Sequence, residues 1–90
     1  MFFGIKINKV EGNFNCSDNN LTSLEFCPEE VNGYFDCSHN KLISLEFCPE
    51  IVEGNFDCSN NPELLKTYGS KENIEKWIKE HCKISGRIYV

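Results

Sequence analysis

Apolar and polar residues alternate in short stretches that recur along the first two thirds of the chain. Residues 10–30 read VEGNFNCSDNNLTSLEFCPEE and residues 31–51 read VNGYFDCSHNKLISLEFCPEI, so that 14 of 21 positions are identical. A third copy begins at Val52 as VEGNFDCSNN and breaks at Pro62. The period of two within V-x-G-x-F-x-C-S is typical of a strand. Because one short strand cannot bury its own apolar face, we expect the copies to stack with their strands parallel.

Positions that do not change between the copies predict the interior of this stack. They form one row of phenylalanine, one of cysteine and one of asparagine: Phe14, Phe35 and Phe56; Cys16, Cys37 and Cys58; Asn19, Asn40 and Asn61. A buried asparagine amide can bond the free backbone groups where a strand bends into a turn. We therefore expect the asparagines to form a ladder along the turns.

The cysteines follow the same period, with a second row at Cys27 and Cys48 and only Cys82 outside the repeat. Zinc sites usually contain close pairs such as C-x2-C, which this spacing does not provide. Free cysteine is among the most buried residue types. We predict that the repeated cysteines are core residues and that no metal or cofactor is bound. The alternatives are a metal cluster, a reactive thiol or disulfides.

The repeated motif F-x-C-S-x-N-x-L-x-S-L-E-F-C-P resembles the leucine-rich repeat, whose generic pattern is L-x-x-L-x-L-x-x-N-x-L. Phe35, Cys37, Asn40 and Leu42 stand at the fourth, sixth, ninth and eleventh positions of that pattern. The short unit and its S-L-E-x-C-P arm look most like the repeats of bacterial effectors and phage-encoded proteins. The resemblance covers roughly residues 10–65. It implies an α/β solenoid with one parallel β-sheet, an extended convex side and a C-terminal helical cap.

Both ends of such a stack need a cover. We divide a single domain into an N-terminal strand cap (1–9), three repeats of which the last is incomplete (10–65), and a C-terminal cap (66–90). Residues 3–7 alternate like a strand. Ser70 is a good N-cap for a helix over about 71–83, which would lay Trp77 across the last repeat. Residues 88–90 predict a final strand that pairs with a sheet edge, either its own or that of a second copy.

The charge is uneven along the chain and excludes some function classes. The net charge is -5, composed of -8 over residues 1–65 and +3 over residues 66–90. Nucleic-acid binding needs a basic face, so it is not expected. No apolar run is long enough to cross a membrane, and no secretory signal is visible. Six cysteines suit a reducing compartment, so we expect a cytoplasmic location in a bacterial or host cell.

Positions that differ between the copies fall on the outward, concave side of the predicted sheet, where a curved surface presents several strands at once. They are the candidate partner-binding residues: Asn13, Asn15, Asp18, Tyr34, Asp36, His39, Asn55 and Asp57. Tyr34 is the only aromatic residue predicted there, and tyrosine is a typical interface anchor. The alternative is that these positions simply face solvent and that their residue types vary without a binding role.

We therefore expect a non-enzymatic binding module whose acidic face engages a protein with a basic patch. The resemblance narrows this to a phage-type inhibitor or adaptor of a host protein. The alternatives are a sponge for a small ligand or cation, held at Asp36 and Asp57, and a self-assembling unit that dimerises through its sheet edges. Neither Cys37 with His39 nor His81 with Cys82 has an orienting third group, so no catalytic residue is predicted.

Overall fold

The computed structural model describes residues 8–90, which form an α/β fold with two parallel four-stranded sheets and two helices. The elements in chain order are β1 (Lys9–Val10), β2 (Phe14–Asn15), β3 (Glu30–Val31), β4 (Phe35–Asp36), β5 (Ile51–Val52), β6 (Phe56–Asp57), α1 (Pro62–Tyr68), α2 (Lys71–His81), β7 (Lys83–Ile84) and β8 (Ile88–Tyr89). One sheet has the order β1-β3-β5-β7, and the other has the order β2-β4-β6-β8. The strand predicted at residues 3–7 lies outside the described residues.

The strands pair in the register that the repeat predicts. Phe14 lies opposite Phe35 and Phe35 opposite Phe56, so equivalent positions of successive copies are neighbours. The pairing is parallel throughout, as predicted. The last strand, β8, pairs with β6 of its own chain, which decides between the two partners that the sequence left open for it.

The prediction of a single sheet is wrong, because each copy contributes two short strands to two different sheets. Between β3 and β4 the backbone bends at residues 32–33, and the same bend recurs at residues 53–54. Hydrogen bonding continues through the bend, since Gly54 N–H donates to the Gly33 carbonyl at 2.9 Å. Apolar and polar residues alternate without interruption through both strands of a copy, but the backbone changes direction between the two strands. Val31 and Phe35 therefore reach the same core from two sheets, both with 0% exposure.

The predicted interior rows are buried where the copies cover one another. In the first two copies, the return arm is the segment from the asparagine to the Cys-Pro pair. Four cysteines belong to the core, together with the central phenylalanines and leucines of the return arms: Cys16, Cys27, Cys37, Cys58, Phe35, Phe56, Leu24, Leu42 and Leu45. Cys48 is the exception, being only half-buried. Asn40 and Asn61 are also buried, as predicted for the asparagine ladder, whereas Asn19 in the first copy is exposed, so its predicted interior position is wrong.

The C-terminal segment contains one helix that the sequence analysis predicted and one that it missed. α2 begins after Ser70, whose side chain accepts a hydrogen bond from the Asn73 N–H, and it ends at His81, two residues before the predicted end. α1 begins at Pro62, where the third copy breaks. Neither helix is long and apolar enough to span a membrane, judged over residues 8–90.

Trp77 does not form the main contact of α2 with the core. That face is made by Ile74 and Ile78. Trp77 is half-buried, with its ring stacked on that of His81 and tilted against that of Tyr68. Ile74, Trp77 and Ile78 follow helical spacing along one side of α2. Helix α1, which the sequence analysis did not predict, supplies Tyr68 as a neighbour of the indole ring.

The bends require glycine where copies lie directly on one another, and this predicts a position-dependent effect of a single methyl group. A Cβ at Gly54 would lie 2.8 Å from the Gly33 carbonyl carbon, its oxygen and the Tyr34 nitrogen, all backbone atoms. A Cβ at Gly12 meets no described atom within 4 Å. We expect Gly54→Ala to lower the free energy of unfolding by about 2 kcal/mol through overpacking, as measured by urea denaturation.

Gly12→Ala is the matched control, because it introduces the same methyl group at the same position of the repeat. It is expected to change the free energy of unfolding by less than about 0.5 kcal/mol. Equal effects of the two substitutions would show that the copies do not pack with their bends in contact.

Candidate functional site

The residue after each phenylalanine of β2, β4 and β6 closes a short turn with its side-chain oxygen. Asp36 Oδ1 accepts hydrogen bonds from the Ser38 N–H at 2.9 Å and from the Ser38 hydroxyl at 2.6 Å. Asp57 holds Ser59 in the same way at 2.9 and 2.6 Å. Asn15 holds Ser17 with its amide oxygen at 2.9 and 2.7 Å. The turn therefore needs an oxygen acceptor and does not need a charge.

The position before each of these phenylalanines links one copy to the next. Asn13 Oδ1 accepts a hydrogen bond from the Tyr34 N–H at 2.9 Å, and Asn55 Oδ1 accepts one from the Arg87 N–H at 2.8 Å. Tyr34 occupies the same position in the middle copy. The tyrosine side chain cannot make the hydrogen bond to the next copy that the asparagine amide oxygen makes at this position. In the middle copy the position therefore carries an exposed aromatic ring.

Four of the predicted residues meet at one surface depression of about 180 Å³. Besides Phe35, its lining contains two tyrosines, two carboxylates and an amide: Tyr34, Tyr89, Asp36, Asp57 and Asn55. We call the five residues other than Phe35 the tyrosine face. Tyr34 and Tyr89 are 38% and 42% exposed, so both rings are accessible.

Parallel register explains why these side chains converge. Asp36 lies opposite Asp57, and Asp57 lies opposite Tyr89 on the neighbouring strand. Neighbouring strands are about 4.8 Å apart, so the two carboxylates and the phenol form one short row. The row is half-buried at the carboxylates and exposed at its tyrosine.

The remaining predicted residues do not line this depression. Asn13 and Asn15 belong to the first copy and are exposed. Asp18 and His39 stand in the turns that follow the strands, in left-handed backbone with φ of 57° and 54°. The His39 ring nitrogen Nε2 lies 3.2 Å from the Asn60 side-chain amide. Asp18 and His39 thus serve turn geometry, which asparagine, aspartate and histidine tolerate better than most residues.

Cys37 and Cys58, the buried cysteines that follow β4 and β6, are unsuited to nucleophilic chemistry. Burial raises the pKa of the Cys58 thiol to about 12 and that of the Cys37 thiol well above its ordinary value. Cys37 has 0% exposure, whereas His39 points to solvent and contacts Asn60. The thiol and the imidazole are therefore not arranged as a nucleophile with its base.

Tyr89 is the functional candidate that the sequence analysis missed. Because Tyr89 was not assigned to this face, Tyr34 was predicted to be its only aromatic residue. The signal was present but incomplete: residues 88–90 were assigned to a strand, yet neither its partner nor its register followed from the repeat. Once β8 pairs with β6, Tyr89 takes the position that Asp57 and Asp36 hold in the preceding copies.

Comparison with known proteins adds no family to this description: no family model, curated protein or solved structure matches the chain. The case for a function therefore rests on the geometry of the described residues.

Proposed function

We propose that the chain is a short leucine-rich-repeat-type solenoid acting as a non-enzymatic binding module, with the tyrosine face as the site for a basic protein partner. The 21-residue register of successive strands supports the solenoid. The observation that carries the binding role is the paired charge of Asp36 and Asp57, which the fold itself does not require.

The first copy gives an internal control for that charge. Asn15 makes the same two hydrogen bonds to its serine as Asp36 and Asp57 make to theirs. A neutral amide therefore satisfies the turn. Two carboxylates on adjacent strands repel one another mildly, and the turn does not need their charge. Their presence is better explained by a positively charged ligand.

The tyrosines define which kind of cation fits. An arginine or lysine side chain can place its charged group between carboxylates while its flat or alkyl part rests on an aromatic ring. Arginine is preferred at such sites because its planar guanidinium pairs with carboxylates bidentately and stacks on rings. A depression of about 180 Å³ between Tyr34 and Tyr89 suits one side chain of this kind rather than a large cofactor.

The test is calorimetric titration with an arginine-rich peptide and, as the control, the same peptide with citrulline in place of arginine. The wild-type chain is expected to bind the first peptide and not the second. Asp36→Asn combined with Asp57→Asn should weaken binding by roughly tenfold or more because both charges are lost. Tyr34→Ala should weaken it by about thirtyfold through loss of an aromatic anchor.

The asparagine variant keeps both serine turns, so its thermal midpoint should match that of the wild type. Equal affinity of the double variant and the wild type for the arginine peptide would refute the proposal. So would equal binding of the citrulline peptide. Calcium binding that is lost in the asparagine variant but kept in Tyr34→Ala would point instead to a cation sponge.

A narrower role follows only from the resemblance of the repeats to phage and bacterial ones: an inhibitor or adaptor of a host protein in the cytoplasm.

β8 covers one end of its sheet by pairing with β6. A homodimer formed through the sheet edges would have to use an edge that this pairing leaves uncovered. Sedimentation of a concentration-independent monomer would exclude such a dimer.

A further inference from the structure

Cys48 and Cys82 are the two half-buried cysteines, and their sulfur atoms lie 3.4 Å apart. Cys48 ends the return arm of the second copy, and Cys82 caps the C-terminus of α2. The backbone holds the two segments together nearby, since the Lys83 N–H donates to the Glu50 carbonyl at 2.7 Å. The two thiols are therefore in contact where the second copy meets the end of α2, and they are close enough to form a disulfide with little movement.

The two thiols are not equivalent. The hydrogen bond between them lowers the pKa of Cys82 and, together with burial, raises that of Cys48. Cys82 is therefore the thiol of the pair that ionises more readily, and Cys48 is the one that holds its proton more tightly. In thiol–disulfide exchange the more readily ionised thiol attacks first, and the second thiol then resolves the mixed disulfide.

Small molecules can reach the pair. Both cysteines line a cavity of about 410 Å³, to which Phe47, Trp77 and His81 contribute the aromatic wall. Its remaining lining residues are three carboxylates: Glu29, Glu46 and Glu50. The negative charge of this lining opposes anionic reagents and attracts cationic ones.

We propose that Cys48 and Cys82 form a redox-active dithiol that reacts with small cationic or neutral disulfides and closes to an intramolecular disulfide. The Cys82 thiolate attacks one sulfur of the reagent R–S–S–R, forming a mixed disulfide and releasing R–S⁻. The Cys48 thiol then gives up its proton to the released thiolate and attacks the Cys82 sulfur, expelling the second R–S⁻, which takes a proton from water. The protein dithiol is oxidised by two electrons, and the reagent is reduced to two thiols.

The second step becomes easier once the first has occurred. The hydrogen bond to Cys82 is the largest cause of the raised pKa of Cys48. A mixed disulfide on Cys82 cannot ionise, so Cys82 then no longer opposes deprotonation of Cys48 through its charge. Closing the bond would tie α2 and β7 to the second copy across a loop of more than thirty residues. A cross-link of that span stabilises a fold by restricting its unfolded chain.

The experiment treats the intact chain with cystamine, a cationic disulfide, and in parallel with oxidised glutathione, which is anionic. The expected product with cystamine is a chain lighter by two hydrogen atoms, with a peptide map that joins Cys48 to Cys82. Cystamine should react at least roughly tenfold faster than oxidised glutathione. Trp77, the only tryptophan of the chain, lines the same cavity, and its fluorescence should fall as the disulfide forms.

Two variants separate the steps. Cys48→Ser should stop at a stable cysteamine adduct on Cys82, and Cys82→Ser should not react at Cys48 on the same timescale. The oxidised wild type should melt at least roughly 10 °C above the reduced protein, and this difference should be absent in both variants. The proposal is overturned if the wild type stays reduced while a reference dithiol peptide is oxidised, or if the peptide map joins other cysteines. It is equally overturned if the adduct on Cys82 persists without closing.

Discussion

Asn40→Ala is expected to lower the free energy of unfolding by about 4 kcal/mol, a large part of the stability of a domain of this size. The Asn40 side chain is 4% exposed and makes five hydrogen bonds. Its oxygen accepts from the Asn19 and Leu21 N–H groups at 2.9 Å each. Its amide group donates to three carbonyls, at Cys16, Cys37 and Ser38.

The cost arises because alanine leaves those backbone groups in the interior without this partner, and each buried unsatisfied group costs about 1–3 kcal/mol. Urea denaturation followed by circular dichroism measures the change as a shift of the midpoint.

Asn19→Ala is the matched control, one copy earlier and exposed. The Asn19 amide donates to the Cys16 and Ser17 carbonyls at 3.0 Å each, where solvent can replace it. We expect a loss of about 1 kcal/mol from this variant. Losses of the same size from Asn19→Ala and Asn40→Ala would contradict the account of a ladder that is strongest where copies cover it.

Phe35→Ala is expected to cost about 4 kcal/mol, the range typical of a deleted core phenylalanine. The ring has 0% exposure and lies between two others, with its centroid 5.8 Å from that of Phe14 and 5.2 Å from that of Phe56. Removing it loses the transfer free energy of the side chain and opens a cavity between the copies. Differential scanning calorimetry should show a much lower melting temperature.

Phe35→Leu and Phe14→Ala are the controls for that result. Leucine fills most of the volume and should recover more than half of the loss. Phe14 is only half-buried in the first copy, so Phe14→Ala should cost clearly less than Phe35→Ala. If Phe35→Ala melted within a few degrees of the wild type, the phenylalanine row would not be the centre of the core.

The interior was predictable because a repeat states the same physical requirement several times. Phe35, Cys37 and Asn40 were assigned to the core from their recurrence, and all three are buried. The parallel 21-residue register followed from the same evidence. The division into two sheets did not follow, since alternation along V-x-G-x-F reads as one strand unless the bend at Gly33 is known.

The ends and the site were less predictable, because there the repeat stops giving information. α1 begins where the third copy breaks, in a short segment with too few residues for a clear helical period. The convergence of Tyr34 and Tyr89 depends on the pairing of β8 with β6, and that of Cys48 with Cys82 depends on where the C-terminal segment folds back. Such contacts between unlike segments are set by tertiary packing and leave no local pattern.

The central claim is that each copy stacks on the next in parallel with a shift of 21 residues, since the core and the tyrosine face both exist only in that register. The most direct measurement is the NMR scalar coupling through backbone hydrogen bonds in a uniformly labelled chain. The account predicts couplings from the Cys16 nitrogen to the Asp36 carbonyl and from the Cys37 nitrogen to the Asp57 carbonyl, both bonds being 2.8 Å long. Couplings displaced by one or more residues, or an antiparallel pattern, would contradict it.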